Sequence, residues 1–140
     1  MRKKIKSIKQ TDPKDCGPVC MAMISNYYGY SVSVTRLREY GGTDLQGTNI
    51  AGLMKIAEKL GFNARGVRAE DPSALNEIPT PSIAHVITKD GFAHFVIIEL
   101  LAYLFECNYR IIIAIWRYGD RLDIIRCDAI DSGSYDITRI

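Results

Sequence analysis

The sequence lacks the segments that carry a chain into or across a membrane. Its basic start is followed by a polar stretch, Ser7 to Asp15, where a signal peptide would need an apolar one. The longest apolar run, Phe95 to Phe105, is interrupted by Glu99 and falls short of the roughly 20 residues that a membrane-spanning helix needs. We therefore expect this chain alone to be soluble, with nothing that directs its secretion.

Strong net charge and metal-binding patterns are also scarce. A formal net charge of +2 gives no ground for nucleic-acid binding, and the basic N-terminal arm reads as a solvated end of the chain. The four cysteines include no Cys-x-x-Cys pair, and the two histidines do not have the spacing of metal ligands. We expect reduced thiols and neither a metal nor a cofactor.

The order of the sequence patterns predicts the α+β class. Apolar positions recur at helical spacing in three segments that end at glycines, which predicts helices over 16–28, 34–40 and 50–60. From Phe62 onward short apolar strands follow, two joined by Asp90-Gly91 and a later pair placed about Gly119-Asp120. With 47% hydrophobic residues, we expect residues 1–140 to form one domain, with a helical half packed on an antiparallel sheet.

Cys16 marks the change from a polar loop to the first predicted helix. At a helix N-terminus, unpaired backbone N–H groups and the positive end of the helix dipole stabilise a thiolate, which is the attacking form of a cysteine nucleophile. Cys20 lies one turn further on the same helix face and reads as a small buried residue. A redox or metal protein built on these two thiols is an alternative class, which the missing Cys-x-x-Cys spacing disfavours.

A cysteine nucleophile needs a base that takes up its proton, and only His85 and His94 have a suitable side chain at neutral pH. They lie at the two ends of the predicted hairpin, where they could face each other. His94 begins a strand after a glycine turn, at an edge open to a cleft, whereas His85 is flanked by apolar neighbours. His94 is therefore the predicted general acid/base.

Several motifs along the chain, taken in order, resemble those of peptidase family C39, the bacteriocin-processing domain of peptidase-containing ABC transporters. They are Gln10-x-Asp12-x-x-Asp15-Cys16-Gly17, Gly47-Thr48 ahead of a helix ending Leu60-Gly61-Phe62, Pro81-Ser-Ile-Ala-His85, and His94-Phe95-Val96. The resemblance runs from about residue 8 to residue 98, roughly two thirds of the chain.

The resemblance implies a papain-like cysteine protease that removes the leader of a bacteriocin or peptide precursor by cutting after a double glycine. It implies Cys16 as the nucleophile, His94 as the general acid/base and Gln10 as an oxyanion-hole donor, whose uncharged amide suits a developing negative charge. The implied partners are the precursor peptide and the transmembrane and ATP-binding domains of an ABC transporter. The implied location is the cytoplasmic face of the bacterial cell membrane.

The sequence departs from the family where the aspartate that orients the histidine is expected. No Asp-Pro pair follows His94, and residues 99–118 do not resemble the family. We predict Asp128 as the substitute, because it follows a strand-like stretch and precedes a glycine turn, with Asp131 as its close rival and Asp120 as a weaker one.

A second function class is a C39-like module that binds leader peptides without cutting them. Family members that only bind typically lack the nucleophile, and Cys16 is present, so the sequence favours catalysis. A helical leader would place its apolar face in a hydrophobic groove. The aromatic residues that could line this groove are Tyr27, Tyr28, Tyr40 and Phe62. Their helical spacing also fits a place in the core.

Overall fold

A computed structural model of the chain describes residues 3–68, 78, 80–87, 90–99, 109–117 and 128–130. A short 3-10 turn, Pro13–Asp15, leads into three helices, which are α1 (Cys16–Tyr27), α2 (Val34–Gly41) and α3 (Ile50–Lys59). Five strands follow, which are β1 (Phe62–Arg68), β2 (Ser82–Ile87), β3 (Ala93–Ile98), β4 (Tyr109–Arg117) and β5 (Asp128–Ile130). The predicted α+β class is confirmed. Across these described ranges, none of the helices has the length and apolar character that a bilayer span requires.

The helix boundaries follow from local caps. The Ser33 hydroxyl accepts a hydrogen bond from the Arg36 backbone N–H at 3.2 Å and so begins α2, while Gly42 ends it in the left-handed conformation at φ 63°. The Asn49 side chain begins α3 in the same way, accepting from the Gly52 N–H at 2.7 Å. Helix α1 differs, because Asp15 at its N-cap position makes no side-chain cap hydrogen bond.

The five strands form one sheet in the order β3-β2-β4-β1-β5, with antiparallel pairing throughout. The predicted hairpin of β2 and β3 is confirmed, with His85 opposite Phe95 and Val86 opposite His94. The strands predicted on either side of Gly119-Asp120 do not pair with each other. Strand β4 already has β2 on one side and β1 on the other, so β5 pairs with the free side of β1 instead.

The chain segments beyond β5 and between the later strands carry three further expectations. The predicted strand over 121–130 corresponds to the three described residues of β5, and the rest of that range lies outside the described residues. The predicted last strand over 135–140 also lies outside them, as does all but Glu99 of segment 99–108, whose apolar spacing fits both a helix and a strand.

The core lies between the helices and one face of the sheet. Its buried side chains come from α1, α2, α3 and the central strands, and include Met21, Ile24, Leu37, Leu53, Ile56, Ile83, Ile113 and Ile115. Helix α1 also contacts the edge strand β3, where the Cys20 thiol donates a hydrogen bond to the Phe95 carbonyl oxygen at 3.6 Å. This contact places the start of α1 beside the start of β3.

Candidate active site

Cys16 lines a cavity of about 360 Å³ that lies between the start of α1, the loop before α3, and strands β2 and β3. The sheet contributes His85, Ala93 and Phe95, and the loop before α3 contributes Asp44, Gln46, Thr48 and Asn49. The turn before α1 closes the remaining side with Pro13 and Lys14. The volume of the cavity lies within the usual range for ligand sites, at the lower end.

The two described thiols lie in different environments. Cys16 is half-buried and lines the cavity, whereas Cys20 is buried in the core, as predicted. Loss of hydration raises the pKa of the Cys20 thiol to about 12, with repulsion from Cys16 adding to the effect. Cys20 therefore stays protonated at neutral pH, and Cys16 is the thiol open to chemistry. Within the described part of the chain, no cluster of three or more His, Cys, Asp or Glu residues could hold a metal ion.

Asp15, the residue before Cys16, is a buried carboxylate that forms an ion pair with Arg38. Asp15 is 1% exposed, and the Arg38 guanidinium on α2 donates to both of its oxygens, from Nε to Oδ1 at 2.7 Å and from Nη2 to Oδ2. The hydrogen bonds from Arg38 hold the pKa of Asp15 below its usual 3.8 against the opposing effect of burial. The carboxylate is therefore ionised and turned toward α2.

The two histidines lie on opposite faces of the sheet. His85 is buried, lines the cavity, and packs its ring against Phe95 at a centroid distance of 4.9 Å. His94 is half-buried and lies between Ala93 and Phe95, which both line the cavity while His94 does not. Successive side chains of a strand alternate between faces, which explains this difference. The histidines do not face each other, and the role of His94 stays a prediction.

Gln10 holds the loop that leads into the site. Its side-chain Nε2 donates to the carbonyl oxygens of Asp12 at 2.8 Å and Pro13 at 3.1 Å, and the residue does not line the cavity. An amide nitrogen has two hydrogens. Gln10 would have to release one of these hydrogen bonds to donate to an oxyanion, so that role also stays a prediction.

The structure does not bring Asp128 to either histidine. It begins β5, where its backbone pairs with Arg68 of β1, at the edge of the sheet opposite β3. Four strand spacings separate these edges, which is about 19 Å. The rival residues Asp131 and Asp120 lie outside the described residues.

The sequence patterns did not predict that the loop before α3 forms a wall of the cavity. Asp44 and Gly47 exchange backbone hydrogen bonds at 3.2 and 3.1 Å, which forms a tight turn. Gly47 has φ 101°, and a Cβ there would come within 3.4 Å of the Lys14 carbonyl oxygen. The turn thus packs closely against the segment that leads to Cys16. The Gly47-Thr48 motif was the signal that could have placed it there.

Of the aromatic residues considered as groove walls, Tyr27, Tyr28 and Phe62 cluster at the other end of α1, whereas Tyr40 lies on α2. The Tyr28 and Tyr30 rings pack against Phe62 at centroid distances of 5.3 and 5.6 Å, and Tyr27 packs against Tyr28 at 5.1 Å. Helix α1 has 12 residues, which spans about 18 Å. This cluster is therefore remote from the cavity, and none of its residues lines it.

Three helices packed on one antiparallel sheet give the chain the α+β fold of the papain-like cysteine peptidases. The model of the peptidase C39 family matches residues 4–110, more than half of the chain. The chain belongs to the peptidase C39 family, which confirms the resemblance seen in its motifs.

Two relatives are named as processing and transport ATP-binding proteins. The lactococcin-G-processing and transport ATP-binding protein LagD of Lactococcus lactis is 46% identical over 94 residues, which are 66% of this chain and 13% of LagD. The pediocin PA-1 transport/processing ATP-binding protein PedD of Pediococcus acidilactici is 37% identical over 90 residues, which are 64% of this chain and 12% of PedD. The match therefore covers a small part of these proteins.

Two solved structures share the fold. The peptidase domain of Streptococcus ComA, a bi-functional ABC transporter of a quorum-sensing pathway, superposes with a TM-score of 0.69 at 26% identity over 81% of this chain and 99% of that domain. A double glycine motif protease from an AMS/PCAT transporter, solved with its leader peptide, gives a TM-score of 0.64 at 24% identity over 80% and 91% of the two chains. At 24% identity, the match to the double glycine motif protease shows a shared fold and no more.

Proposed function

We propose that this chain is a cysteine endopeptidase domain that removes the leader of a bacteriocin or peptide precursor by cutting after a double glycine. The observation that carries the proposal is Cys16, a half-buried thiol at the start of α1 that shares a cavity with an imidazole. Membership of a peptidase family and 46% identity to a bacteriocin-processing transporter over the aligned part support it.

In the proposed reaction the Cys16 thiolate attacks the carbonyl carbon of the second glycine. The tetrahedral intermediate collapses to a thioester, and the leaving amine takes a proton from an imidazolium. Water then attacks the thioester, gives its proton to the imidazole and frees the leader. A donor to the oxyanion lowers both barriers, and we assign that role to Gln10 after it releases one loop carbonyl.

We assign the proton transfers to His94 on the strength of its His-Phe-Val motif. Its neighbours Ala93 and Phe95 already line the cavity, so a local rotation at the start of the edge strand β3 would carry its ring toward Cys16. His85 is the imidazole that lines the cavity as described, and it is the competing candidate.

We attribute the proposed preference for glycine to the side chains that line the cavity beside Cys16. His85 and Phe95 wall it on the sheet side and Thr48 on the loop side, all within about 360 Å³. A residue without a Cβ fits beside Cys16 where larger residues would contact these walls. We infer that the precursor peptide enters with its two glycines at this point.

The proposed setting is a transporter. The relatives LagD and PedD are named as transport ATP-binding proteins, and we propose that residues 1–140 act as one peptidase domain with the transmembrane and ATP-binding domains of an ABC transporter. The domain would then work at the cytoplasmic face of the cell membrane, where the precursor is presented for export.

The test uses a synthetic leader that ends in Gly-Gly and continues for several residues, with the products read by mass spectrometry. We expect one cut after the second glycine, and loss of cleavage by at least about 10³-fold in Cys16→Ala. Cys20→Ala is the matched control and should keep the activity, since Cys20 does not line the cavity. Cleavage by Cys16→Ala at the parent rate would overturn the proposal.

A leader-binding module without cleavage is the second candidate. The observation that favours it is that neither His94 nor Asp128 lies at the cavity of Cys16. The same peptide separates the two functions. A binding module would hold the leader, in a fluorescence-anisotropy titration, and return it uncut.

A further inference from the structure

Helix α1 begins with a residue that is suited to cap it and does not do so. Aspartate is among the preferred N-cap residues, because its carboxylate accepts hydrogen bonds from the first free backbone N–H groups. Asp15 precedes α1 as the last residue of a 3-10 turn that Asp12 caps, and it makes no side-chain cap hydrogen bond. Its two oxygens accept from Arg38 of α2 instead, 23 residues along the chain.

The pairing of Asp15 with Arg38 matters because the next residue is Cys16. A carboxylate on the preceding residue repels a thiolate, whereas the start of a helix stabilises one. Arg38 supplies a positive charge directly on the carboxylate, and the hydrogen bonds direct both Asp15 oxygens toward α2. The charge of the carboxylate that precedes the thiol is therefore compensated by Arg38.

We propose that Arg38 is a positioning residue for the nucleophile, which favours the thiolate of Cys16 by pairing with Asp15 and cancelling its charge at the start of α1. The proposal rests on the proposed role of Cys16. It adds a residue that does not line the cavity and acts through another residue.

None of the substitutions that test this proposal changes the charged groups that line the cavity of Cys16. Those that line the cavity come from the preceding turn, the loop before α3 and strand β2, and they are Lys14, Asp44 and His85. Strand β3 adds His94, and α3 contributes the apolar Ile50. In the preceding turn, Lys14 pairs with Asp12 at 3.6 Å. A shift that follows only the Asp15 and Arg38 substitutions therefore belongs to that pair.

The experiment measures the rate at which iodoacetamide alkylates Cys16 as a function of pH, by site-resolved mass spectrometry on the full chain. Arg38→Met leaves the carboxylate uncompensated, so the midpoint of the profile should rise by about half a pH unit or more. Asp15→Asn leaves the guanidinium uncompensated, so the midpoint should fall. The double variant should return close to the parent.

Midpoint shifts of opposite sign in Arg38→Met and Asp15→Asn would show an electrostatic effect. Partial unfolding would instead move the midpoints of both variants toward that of an unfolded cysteine. Arg36→Met is the matched control, an exposed arginine on the same helix, and should leave the midpoint in place. Arg38→Lys keeps the charge and should stay closer to the parent than Arg38→Met. Far-UV circular dichroism monitors folding in each case.

Shifts in the same direction, or no shift in either single variant, would overturn the proposal. If Arg38→Met does not fold, Asp15→Asn alone tests the proposal. An alkylation midpoint that does not fall in Asp15→Asn would then contradict the proposal. Peptide cleavage is not part of the readout. A chain that shows these shifts and does not cut the leader would refute the proposed function and leave the role of Arg38 standing.

Discussion

At the scale of single residues, the two histidines differ in the face of the sheet that they occupy. His85 lies in the cavity with Cys16, and His94 lies one register position away on the neighbouring strand. We expect His94→Ala to lower the rate of leader cleavage by about 10²–10⁴-fold, the range for a general acid/base. His85→Ala is the matched variant, and we expect a smaller loss. The reverse order would transfer the acid/base role to His85.

The lowered pKa of Asp15 has a consequence for stability. A carboxyl group with a folded pKa below its unfolded value stabilises the fold above pH 3.8, and that contribution is lost as the pH falls toward the lower folded pKa. We expect Asp15→Asn to flatten the dependence of the unfolding free energy on pH below about pH 4. Urea titrations across this range measure it.

Asp44→Asn is the control for that measurement, because Asp44 is exposed and its Oδ1 accepts only the local Gln46 N–H, at 2.8 Å, among the hydrogen bonds described. Its pH dependence should follow that of the parent. Parallel curves for the parent and Asp15→Asn would contradict the stabilising role of the Asp15–Arg38 pair.

At the scale of elements, α2 and α3 approach each other through glycines. A Cβ at Gly52 would lie 2.4 Å from the Gly41 carbonyl oxygen and 2.8 Å from Thr48 Cγ2, so the helices must separate to admit one. We expect Gly52→Ala to lower the free energy of unfolding by about 1–3 kcal/mol, as overpacking does. Lys55→Ala, exposed on the same helix, should change it by less than about 0.5 kcal/mol. Equal stability of the two variants in urea unfolding would refute this account of the contact.

The three helices could be predicted because their ends are determined locally. Ser33 and Asn49 lie beside the N–H groups that they cap, and Gly42 adopts a conformation that other residues avoid. The partner of β5 could not be predicted, because strand pairing depends on which sheet edge is free. That edge belongs to β1, far earlier in the chain.

The site was predictable to a similar extent. Cys16 follows from a local pattern, a polar loop that leads into an apolar helix. The histidine that shares its cavity depends on strand register, because a shift of one residue exchanges the faces of a strand. The pairing of Arg38 with Asp15 joins residues on different elements, and no spacing rule in the sequence indicates it.

At the scale of the whole molecule, one cavity collects residues from both halves of the fold. The helical half supplies the thiol and the loop before α3, and the sheet supplies His85 and Phe95. The family match extends over residues 4–110 and so includes every described residue that lines this cavity. The central claim is that this cavity binds the double glycine of a leader and presents it to Cys16.

The most direct measurement of that claim is covalent labelling with a leader peptide whose second glycine carries a chloromethyl ketone. We predict a single adduct, mapped by mass spectrometry to Cys16, that excess unmodified leader suppresses and that an Ala-Ala analogue fails to form. An adduct that forms equally with Ala-Ala, or that maps to other thiols, would contradict the account.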